Sequence, residues 1–439
     1  RAYWVRVKGD DVTADRTSSW PARWIIWGSF ALALLVAPWL FSSNLGVTML
    51  CQIGIAIIAC LSYNILLGQG GMLSFGHAVY TGLGAFVAMH ALNAATGGKP
   101  SFALVLLLPL IGGLAGLFFA VLLGYVTTRR SGTTFAMITL GMGELVFAMS
   151  LMIPEFFGGE GGISGNRMVE PFMGITFGPQ RQVYYLVAFY TFISVAGMYA
   201  FTRTPLGRML NAVRDNAERV EFVGYNAQRI RYLAFIVAGF FAGISGGLAA
   251  LNFEIVTAEV VGAARSGSYL LFTFLGGATF FFGPIIGAIL MVLAFVLFSE
   301  LTKAWLLYLG LIFMFMVMYA PGGIASLIML NLRVASYGRL KELLPHYLSM
   351  AATGLVALLG VSALTEMVYH RQLDGAAGST LNFLGLTLDD ANRVHWLAAA
   401  AVALVGIAAF EWARRRFARS WHAVQEYIEV ELKQRAAAA

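Results

Sequence analysis

The chain has 439 residues, of which 59% are hydrophobic and only 12% are charged, with a formal net charge of +7. Soluble globular domains have about 25% charged residues, so this composition excludes an ordinary soluble protein and indicates a chain with several membrane spans. The basic excess alone would also fit a nucleic-acid-binding protein, and its distribution along the chain decides between the two.

Apolar runs close to the length of a membrane span, about 20 residues, recur along the sequence. They predict an all-α, polytopic transmembrane helical bundle. The candidate spans are residues 24–41, 46–67, 73–92, 101–127, 132–153, 181–202, 231–252, 268–282, 284–301, 304–327, 346–365 and 393–413. The short runs at 268–282 and 284–301 form a pair, so either both cross the membrane or both are broken or re-entrant.

The distribution of Lys and Arg gives the predicted orientation. With the N-terminus inside, the inner segments hold 22 of the 29 basic residues and the outer segments hold the other 7. Cytoplasmic loops of membrane proteins carry such an excess. Both termini and the loop at 203–231 are therefore predicted to be cytoplasmic. The basic excess is a topology signal, and no nucleic acid is expected as a partner.

The loop at 203–231 has a pattern of its own. Thr204 is suited to cap a helix that begins at Pro205, and Gly224 is suited to end it. The apolar positions at helical spacing are Leu206, Leu210, Val213, Ala217 and Val220. The opposite face carries Arg208, Arg214, Asp215, Glu218, Arg219 and Glu221. This pattern predicts one amphipathic helix, which is either a solvated or interfacial connector or a docking helix for another protein.

Two Gly-rich stretches, Gly68–His77 and Gly276–Pro284, interrupt apolar segments. Broken helices in the two halves of a transporter point to the substrate path, whereas close packing of membrane helices is the alternative use of small residues. The Gly-rich outer loop at 154–180 either closes over the outer face of this path or is a mobile connector.

Polar residues inside apolar segments need a reason, because they are costly in a bilayer. Glu144 lies near the middle of a predicted span, where it would face a substrate ammonium or a polar group of a partner, or would be protonated. The candidate residues of a substrate path are Asn64, Gln69, Gly71, Ser74, Gly76, His77, Glu144, Gly276, Gly277 and Gly283. For each of them, structural hydrogen bonding or packing is the competing interpretation.

No catalytic constellation is present in the sequence. The six histidines are scattered without metal-ligand spacing, and no phosphate-binding P-loop motif occurs. We therefore predict no catalytic residue, no metal site and no bound cofactor. If transport is driven by ATP, the ATPase is another chain.

Several motifs together resemble the branched-chain amino acid ABC importer permeases of the LivM type. They are LSYNILLGQGGMLSFGHAVYTGLGAF (61–86), RSGTTFAMITLGMGELVFA (130–148), GGEGGISG (158–165), the segment from TPLGRMLNAVRDNAERVEF to GGLAAL (204–251), LLFTFLGGATFFFGPIIGAIL (270–290) and APGGI (320–324). The resemblance covers roughly residues 45 to 330 and implies a core of about ten helices, some of them broken or re-entrant.

The resemblance implies a heteromeric importer in the bacterial inner membrane, not an enzyme. Its partners would be a LivH-type permease that shares the path, two cytoplasmic ATPases that bind ATP and Mg, and a periplasmic substrate-binding protein. The substrates would be branched-chain or other hydrophobic amino acids, or related small carboxylates or amides. The loop at 203–231 would be the coupling segment. Its expected ATPase contacts are Leu206, Arg208, Arg214, Asp215, Glu218, Arg219, Glu221 and Gly224.

The resemblance also sets the expected domains and two departures from the family. A cytoplasmic segment (1–23) precedes the permease domain (24–330), and about two extra helices (331–413) and a basic amphipathic tail (414–439) follow it. At position 144 this chain has Glu where the family commonly has an uncharged residue such as Gln.

The tail repeats part of the coupling segment. Arg208, Ala212, Val213, Asp215 and Glu218 match Arg419, Ala423, Val424, Glu426 and Glu429 at a constant offset of 211. The apolar tail residues Trp421, Val424 and Ile428 fall on one helical face. The tail is therefore interpreted as a second helix that contacts an ATPase or lies on the membrane surface.

Two other classes of protein compete with the importer permease. An ion-coupled secondary transporter would use Glu144 as its proton or cation site, but it has no need for an ATPase-docking helix. A membrane enzyme is the third class, and the sequence has no catalytic cluster to support it.

Overall fold

The computed structural model describes residues 20–94, 100–172, 174–302, 304–374, 380–383 and 386–438. Helices dominate these residues, and seven of them are long and apolar enough to cross a membrane. The predicted class, an all-α polytopic membrane protein, is confirmed. The chain divides into two compact units, residues 1–270 and 271–439.

The first unit is built almost entirely from helices. They are α1 (Trp20–Leu40), α2 (Asn44–Asn64), α3 (His77–Ala94), α4 (Phe102–Thr127), α5 (Gly132–Met152), α6 (Pro154–Phe157), α7 (Gln180–Arg203), α8 (Pro205–Asp215), α9 (Ala217–Phe222), α10 (Ala227–Phe253) and the start of α11 (Ala263–Gly276). A π-helical turn, Ile65–Gln69, continues α2. Side-chain caps set several starts: Ser43, Ser101 and Asn226 each accept a hydrogen bond from an amide in the first turn of the helix that follows.

Glycine contacts hold the centre of this unit together, where α10 lies against α3 and α4. A Cβ at Gly84 would lie 2.7 Å from Gly243 Cα, and a Cβ at Gly246 would meet the carbonyl oxygen of Thr81. Helix backbones can approach this closely only where side chains are absent, as is common between membrane helices. Large buried side chains such as Phe86 and Leu108 fill the space around these crossings.

The predicted outer loop at 154–180 makes contacts that anchor it to the end of α10. Strand β1 (Ile163–Ser164) pairs antiparallel with β2 (Ile255–Val256), which directly follows α10. The guanidinium of Arg167 is buried and donates hydrogen bonds to the carbonyl oxygens of Phe177, Leu251 and Asn252. These bonds fasten the loop to the end of α10.

The second unit continues from α11. Its elements are α12 (Gly283–Leu293), α13 (Ser299–Leu301), α14 (Trp305–Tyr319), α15 (Gly323–Ser336), α16 (Leu340–Tyr369), the hairpin of β3 (Thr380–Phe383) and β4 (Leu386–Asp389), and α17 (Arg393–Ala438). Helices α16 and α17 form an antiparallel hairpin with close small-residue contacts, since a Cβ at Gly360 or Gly406 would meet the backbone of Ala403 or Ala357. The hairpin contains the two predicted extra spans.

Two predicted spans take a different form. The run at 304–327 is not one helix, because α14 and α15 bend by 48° at the short break between them, where Gly323 has a φ of +69°. The run at 268–282 forms the end of the short helix α11, which has 14 residues. The run at 284–301 is helical throughout, because α12 continues through a π-helical turn, Ala294–Phe298, into α13. A turn separates the two runs, and their crossing of the membrane as a pair stays a prediction.

The tail is the continuation of the last span and not a separate helix. Helix α17 has 46 residues, which gives a length of about 69 Å against a hydrocarbon thickness of about 30 Å. Its apolar residues Trp421, Val424 and Ile428 pack in a cluster with Val334 and Leu343. Because this face is covered by α15 and α16, it is not available to lie on a membrane surface.

We expect Gly246→Ala to destabilise the first unit by about 1–3 kcal/mol, because the added methyl overpacks against the Thr81 carbonyl. At Gly141 a Cβ meets open space, so Gly141→Ala removes only a helical glycine and is expected to stabilise the protein by up to about 1 kcal/mol. Thermal unfolding of both purified variants in one detergent measures these effects. Equal melting temperatures would show that the glycine contacts do not hold this unit together.

Candidate functional site

The candidate site is the interruption between α2 and α3, residues 68–77, which we call the break. The chain leaves α2 through its π-helical turn, runs without regular structure from Gly70 to Gly76, and becomes helical again at His77. Gly71 has a φ of +64°, a conformation that favours glycine. A Cβ at Gly76 would meet the carbonyl oxygen of Thr139, so this position requires glycine for the approach of α5.

Side chains from three directions pair the backbone of the break. The Tyr63 hydroxyl donates to the Ser74 carbonyl at 2.9 Å. The amide of Phe75 donates to Thr139 Oγ1 at 3.1 Å, and the amide of Ala78 donates to Ser266 Oγ at 3.0 Å. In an unbroken helix these backbone groups would hydrogen-bond to one another. Here the side chains of Tyr63, Thr139 and Ser266 are their hydrogen-bond partners.

Three predicted path residues have buried polar atoms without a hydrogen-bond partner: Asn64 Oδ1, Ser74 Oγ and His77 Nδ1. All three side chains are almost fully buried. An unpaired buried polar atom costs about 1–3 kcal/mol, so three of them on one short stretch favour a site that receives a water molecule or a polar ligand.

The tautomer of His77 follows from its neighbour. Ser62 Oγ has one hydrogen, and it donates this hydrogen to the Ala59 carbonyl at 2.7 Å. The 2.9 Å contact between Ser62 Oγ and His77 Nε2 therefore has the ring nitrogen as donor. In the neutral ring, Nδ1 is then a bare acceptor. His77 Nδ1 and Asn64 Oδ1 are therefore two unpaired acceptors, and a ligand that donates hydrogen bonds would pair them.

Glu144 does not belong to this polar group. The buried face of α5 includes Thr139 and Gly143, which lie beside Gly76. Glu144 lies on the exposed face of the same helix. The exposed positions at helical spacing on α5 are Thr134, Met137, Gly141, Glu144 and Ala148. The sequence placed Glu144 near the middle of the span, but it gave no means of telling which face the residue occupies.

The second predicted path segment, with Gly276, Gly277 and Gly283, lies in the second unit. A Cβ at Gly276 would meet the Gly283 carbonyl, and a Cβ at Gly277, whose φ is +113°, would lie 2.6 Å from the carbonyl oxygen of Gly322. These contacts join the end of α11 to the starts of α12 and α15. Close packing accounts for the glycines at this turn, while a place in the substrate path stays a prediction.

The coupling segment (residues 203–231) forms two helices where one was predicted. Thr204 caps α8 by accepting from the amide of Gly207, and Pro205 is its first residue, as predicted. Asn216 then adopts an extended conformation and caps α9 through the amide of Arg219. The spacing of four residues in Arg214–Glu218 and Asp215–Arg219 would support one continuous helix by ion pairing. These pairs lie across the division at Asn216 and do not form, and Arg214 pairs with its neighbour Asp215 at 3.1 Å.

The two faces of the coupling segment are divided as the pattern predicts. Leu210, Val213 and Val220 are buried, and Leu206 is half-buried. The predicted contact residues on the other side are exposed, namely Arg208, Arg214, Asp215, Glu218, Arg219, Glu221 and Gly224. Gly224 has a φ of +93° and follows the end of α9.

The coupling segment touches the break directly. The Arg214 guanidinium donates to the Gly68 carbonyl at 2.5 Å. A Cβ at Gly71 would lie 2.8 Å from Arg214 Cγ, and a Cβ at Gly70 would lie 3.2 Å from a methyl carbon of Leu210. Helix α8 is therefore seated on the π-helical turn at the start of the break, which the sequence did not predict.

Three exposed apolar residues complete the coupling segment and were missed by the sequence reasoning. Phe222 is 88% exposed, Val223 is 74% exposed and Tyr225 is 52% exposed. They flank Gly224 beside the charged face of α9. Exposed aromatic residues of this kind are enriched at protein interfaces, and the FVGY sequence following a charged helix was the available signal.

Among the described residues, no group of three or more His, Cys, Asp or Glu side chains is arranged to hold a metal ion. The chemistry of the break is that of hydrogen-bond acceptors in an apolar surround, and the coupling segment supplies an exposed, charged surface joined to it. A broken membrane helix with unpaired polar atoms is typical of membrane transport proteins, and this is the class that the fold and the site define.

Comparison with known proteins identifies the family. The model of the permease component of branched-chain amino acid transport systems matches residues 45–321, and the chain belongs to this family. The LivM permease protein of the high-affinity branched-chain amino acid transport system of Escherichia coli K12 is 28% identical over 317 residues, or 67% of this chain and 73% of that protein.

The corresponding LivM protein of Salmonella typhimurium LT2 is 28% identical over 332 residues, or 70% of this chain and 77% of that protein. No solved structure gives a significant match. The family match contains both the break and the coupling segment, and it ends before the α16–α17 hairpin.

We expect Gly71→Ala to be more destabilising than its conformational strain alone explains. A left-handed backbone costs an L-residue about 1–2 kcal/mol, and at Gly71 the new methyl also overpacks against Arg214. Gly132→Ala is the matched control, because Gly132 has a φ of +65° but open space around its Cβ position. Denaturant or thermal unfolding of both variants separates the backbone strain from the overpacking against Arg214. Equal losses of stability in the two variants would contradict the close contact between α8 and the break.

Proposed function

We propose that this chain is the translocation subunit of an ATP-driven importer in a bacterial inner membrane, with both termini and the coupling segment in the cytoplasm. The contact that carries the proposal is the one between Arg214 and Gly68. It joins an exposed charged segment, suited to a protein partner, to a broken helix with unpaired polar atoms. An importer that is driven by a partner ATPase needs a contact that links the partner-binding segment to the substrate path.

The partners follow from the family and from the surfaces of the chain. We propose a second permease, two cytoplasmic ATPases and a periplasmic binding protein. The exposed stripe of α5 supports the second permease, because a carboxylate such as Glu144 in mid-span is costly unless protein or water covers it. Gly141, with open space at its Cβ position, would let a partner helix approach closely.

ATP and Mg are expected on the ATPases, since this chain has no P-loop. The proposed docking surface is the charged face of α8 and α9, from Arg208 to Glu221, together with Phe222, Val223 and Tyr225. An apolar group with a charged rim is the usual composition of a protein interface. Helix α8 would transmit movement of the ATPase to the break through the buried side chain of Leu210 and through the hydrogen bond from Arg214 to the Gly68 carbonyl.

The proposed substrates are branched-chain or other hydrophobic amino acids, or related small carboxylates or amides. The unpaired atoms of Asn64 and His77 are acceptors, so they suit the ammonium or amide hydrogens of such a substrate. The amides of Gly71, Met72, Phe75 and Ala78 already donate within the protein, so those amides are not free to hold a carboxylate. The apolar residues around the break suit an aliphatic side chain.

An ion-coupled transporter that uses Glu144 is less well supported. Glu144 lies on the exposed face of α5, away from the polar atoms of the break. A proton or cation bound there would not touch them. The family match also places this chain among transport-system permease components.

The substrate proposal is tested by Ser74→Ala. The Ser74 hydroxyl has no partner within the protein, so its loss removes the cost of an unpaired buried group and is expected to leave the protein at least as stable as the wild type. The KM for leucine is expected to rise about tenfold, the effect of one hydrogen bond to a charged group. Uptake of radiolabelled leucine into proteoliposomes that contain the whole transporter measures this effect.

The matched control is Ser266→Ala, which removes the hydroxyl that pairs the Ala78 amide and is expected to lower the melting temperature. If Ser74→Ala also lowers the melting temperature and leaves uptake intact, the Ser74 hydroxyl is structural and the path lies elsewhere.

The coupling proposal is tested by Phe222→Ser combined with Arg208→Glu. Both residues are exposed, so we expect a folded protein that retains its second permease but loses its ATPase subunits during purification. A buried aromatic anchor and a charged contact together contribute roughly 2–4 kcal/mol at interfaces. Quantitative mass spectrometry of the purified complex gives the subunit ratio.

Phe172→Ser is the control, because Phe172 is also an exposed phenylalanine, at 55% against 88% for Phe222, but lies in the 154–180 loop, where its ring contacts Phe102. Unchanged ATPase content in the Phe222 and Arg208 variant would rule out this surface as the dock. If the wild-type chain purifies without any ATPase subunit, the proposal that it is a subunit of an ATP-driven importer is wrong.

A further inference from the structure

The second candidate surface is the outward face of the α17 tail. Arg415, Arg419, His422, Glu426, Glu429 and Lys433 are all exposed. Their spacing alternates between four and three residues, so they form one continuous stripe along the helix. We call these six residues the tail stripe.

The tail repeats the coupling segment in burial as well as in sequence. At the offset of 211, Val213 and Val424 are both buried, and Leu206 and Phe417 are both half-buried. The charged residues also correspond: Arg208 and Arg419 are exposed, as are Asp215 with Glu426 and Glu218 with Glu429. One arginine and two acidic residues therefore occur in the same order in both segments and are exposed in both, although the coupling segment divides at Asn216 and α17 is continuous.

The inward face of the tail packs against α15 and α16. Val424 and Ile428 pack with Val334 and Leu343, and Ser420 Oγ lies 3.1 Å from His346 Nε2. These contacts hold the helix against α15 and α16. The tail stripe is consequently presented on a supported helix with a fixed orientation.

Arg415 of the tail stripe pairs with Glu411 within α17 at 2.8 Å, whereas the two acidic residues of the stripe do not serve the stability of the helix. Glu426 and Glu429 are like charges at a spacing of three, which is unfavourable within a helix. Acidic residues toward the C-terminal end also oppose the helix dipole. Neither these two residues nor Arg419 forms an ion pair with any residue in the described part of the chain. All three are available to a partner.

An exposed aromatic residue lies near the start of the tail. Trp412 is 55% exposed and the Arg416 guanidinium sits over its ring at 3.9 Å, an arrangement suited to the membrane boundary, where aromatic and basic residues collect. From Arg416 to the end of the described side chains at Gln434, the helix advances about 27 Å. With the proposed orientation, this length of α17 lies on the cytoplasmic side of Trp412.

We infer that the tail stripe is a second dock for a cytoplasmic ATPase subunit, the partner proposed for the coupling segment. This inference rests on the proposed function. The complementary groove would place acidic residues opposite Arg419 and basic residues opposite Glu426 and Glu429. The tail extends into the compartment in which the ATPases would lie. Its contact with them adds to the one made by α8 and α9.

The test uses the complete transporter, purified with the ATPase subunits that copurify with the native chain. A photo-crosslinking amino acid replaces His422 in the tail stripe, Asn211 at the matching position of α8, or Leu404, which is 69% exposed on the membrane-spanning part of α17. We expect adducts with an ATPase subunit at positions 422 and 211 and none at 404.

Charge reversal then tests the chemistry of the contact. The double variant Glu426→Lys and Glu429→Lys is expected to lower the adduct yield at 422 about fivefold, the effect of two exposed ion pairs, while the yield at 211 stays unchanged. Arg419→Lys keeps its charge and is expected to have no effect. Because all of these residues are exposed, size-exclusion profiles are expected to be the same as for the wild type.

The outcomes separate the two proposals. An ATPase adduct at 211 but not at 422 overturns the second dock and leaves the proposed function standing. An absence of ATPase adducts at both positions overturns both. Adducts at 422 with lipid or with a second copy of this chain also overturn the second dock, as does a yield that charge reversal leaves unchanged.

Discussion

The structure of the first unit depends on one constraint: a helix that is interrupted inside a membrane must still pair its backbone groups. At residues 68–77 this pairing comes from Tyr63, Thr139, Ser266 and Arg214. Each of these side chains belongs to a different element, so α2, α5, α11 and α8 must all be in place for the break to exist. The break is therefore a junction of the unit as well as a gap between two helices.

This junction has a mechanical consequence. If α8 moved away alone, the Gly68 carbonyl would lose its donor in an apolar surround, at a cost of about 1–3 kcal/mol, and the packing of Leu210 on Gly70 would be lost as well. Movement of α8 together with the π-helical turn keeps both contacts. If the coupling segment binds an ATPase as proposed, a force on it would reach the residues that hold the unpaired atoms of Ser74 and His77 through these contacts. The coupling needs no long pathway, because the two sites share a contact.

The sequence predicted those features that local chemistry determines. The Thr204 cap, the start of α8 at Pro205 and the break at the Gly68–His77 stretch follow from single residues and their neighbours. The division at Asn216 was missed because the apolar spacing continues across it, and only the Asn216 cap reveals the new start. The exposed side of Glu144 and the seat of Arg214 on Gly68 depend on how distant segments pack, which one sequence without its fold does not determine.

The exposed face of α5 shows where the chain is incomplete. Its buried face seals the break through Thr139 and Gly143, so the same helix that closes one side of the polar site presents Glu144 on the other. A carboxylate in mid-span requires a polar or protein environment, and Gly141 beside it leaves room for a helix at close range. A partner that covers this stripe would lie one helix diameter from the break. The proposed path would then run beside α5, between this chain and the proposed second permease.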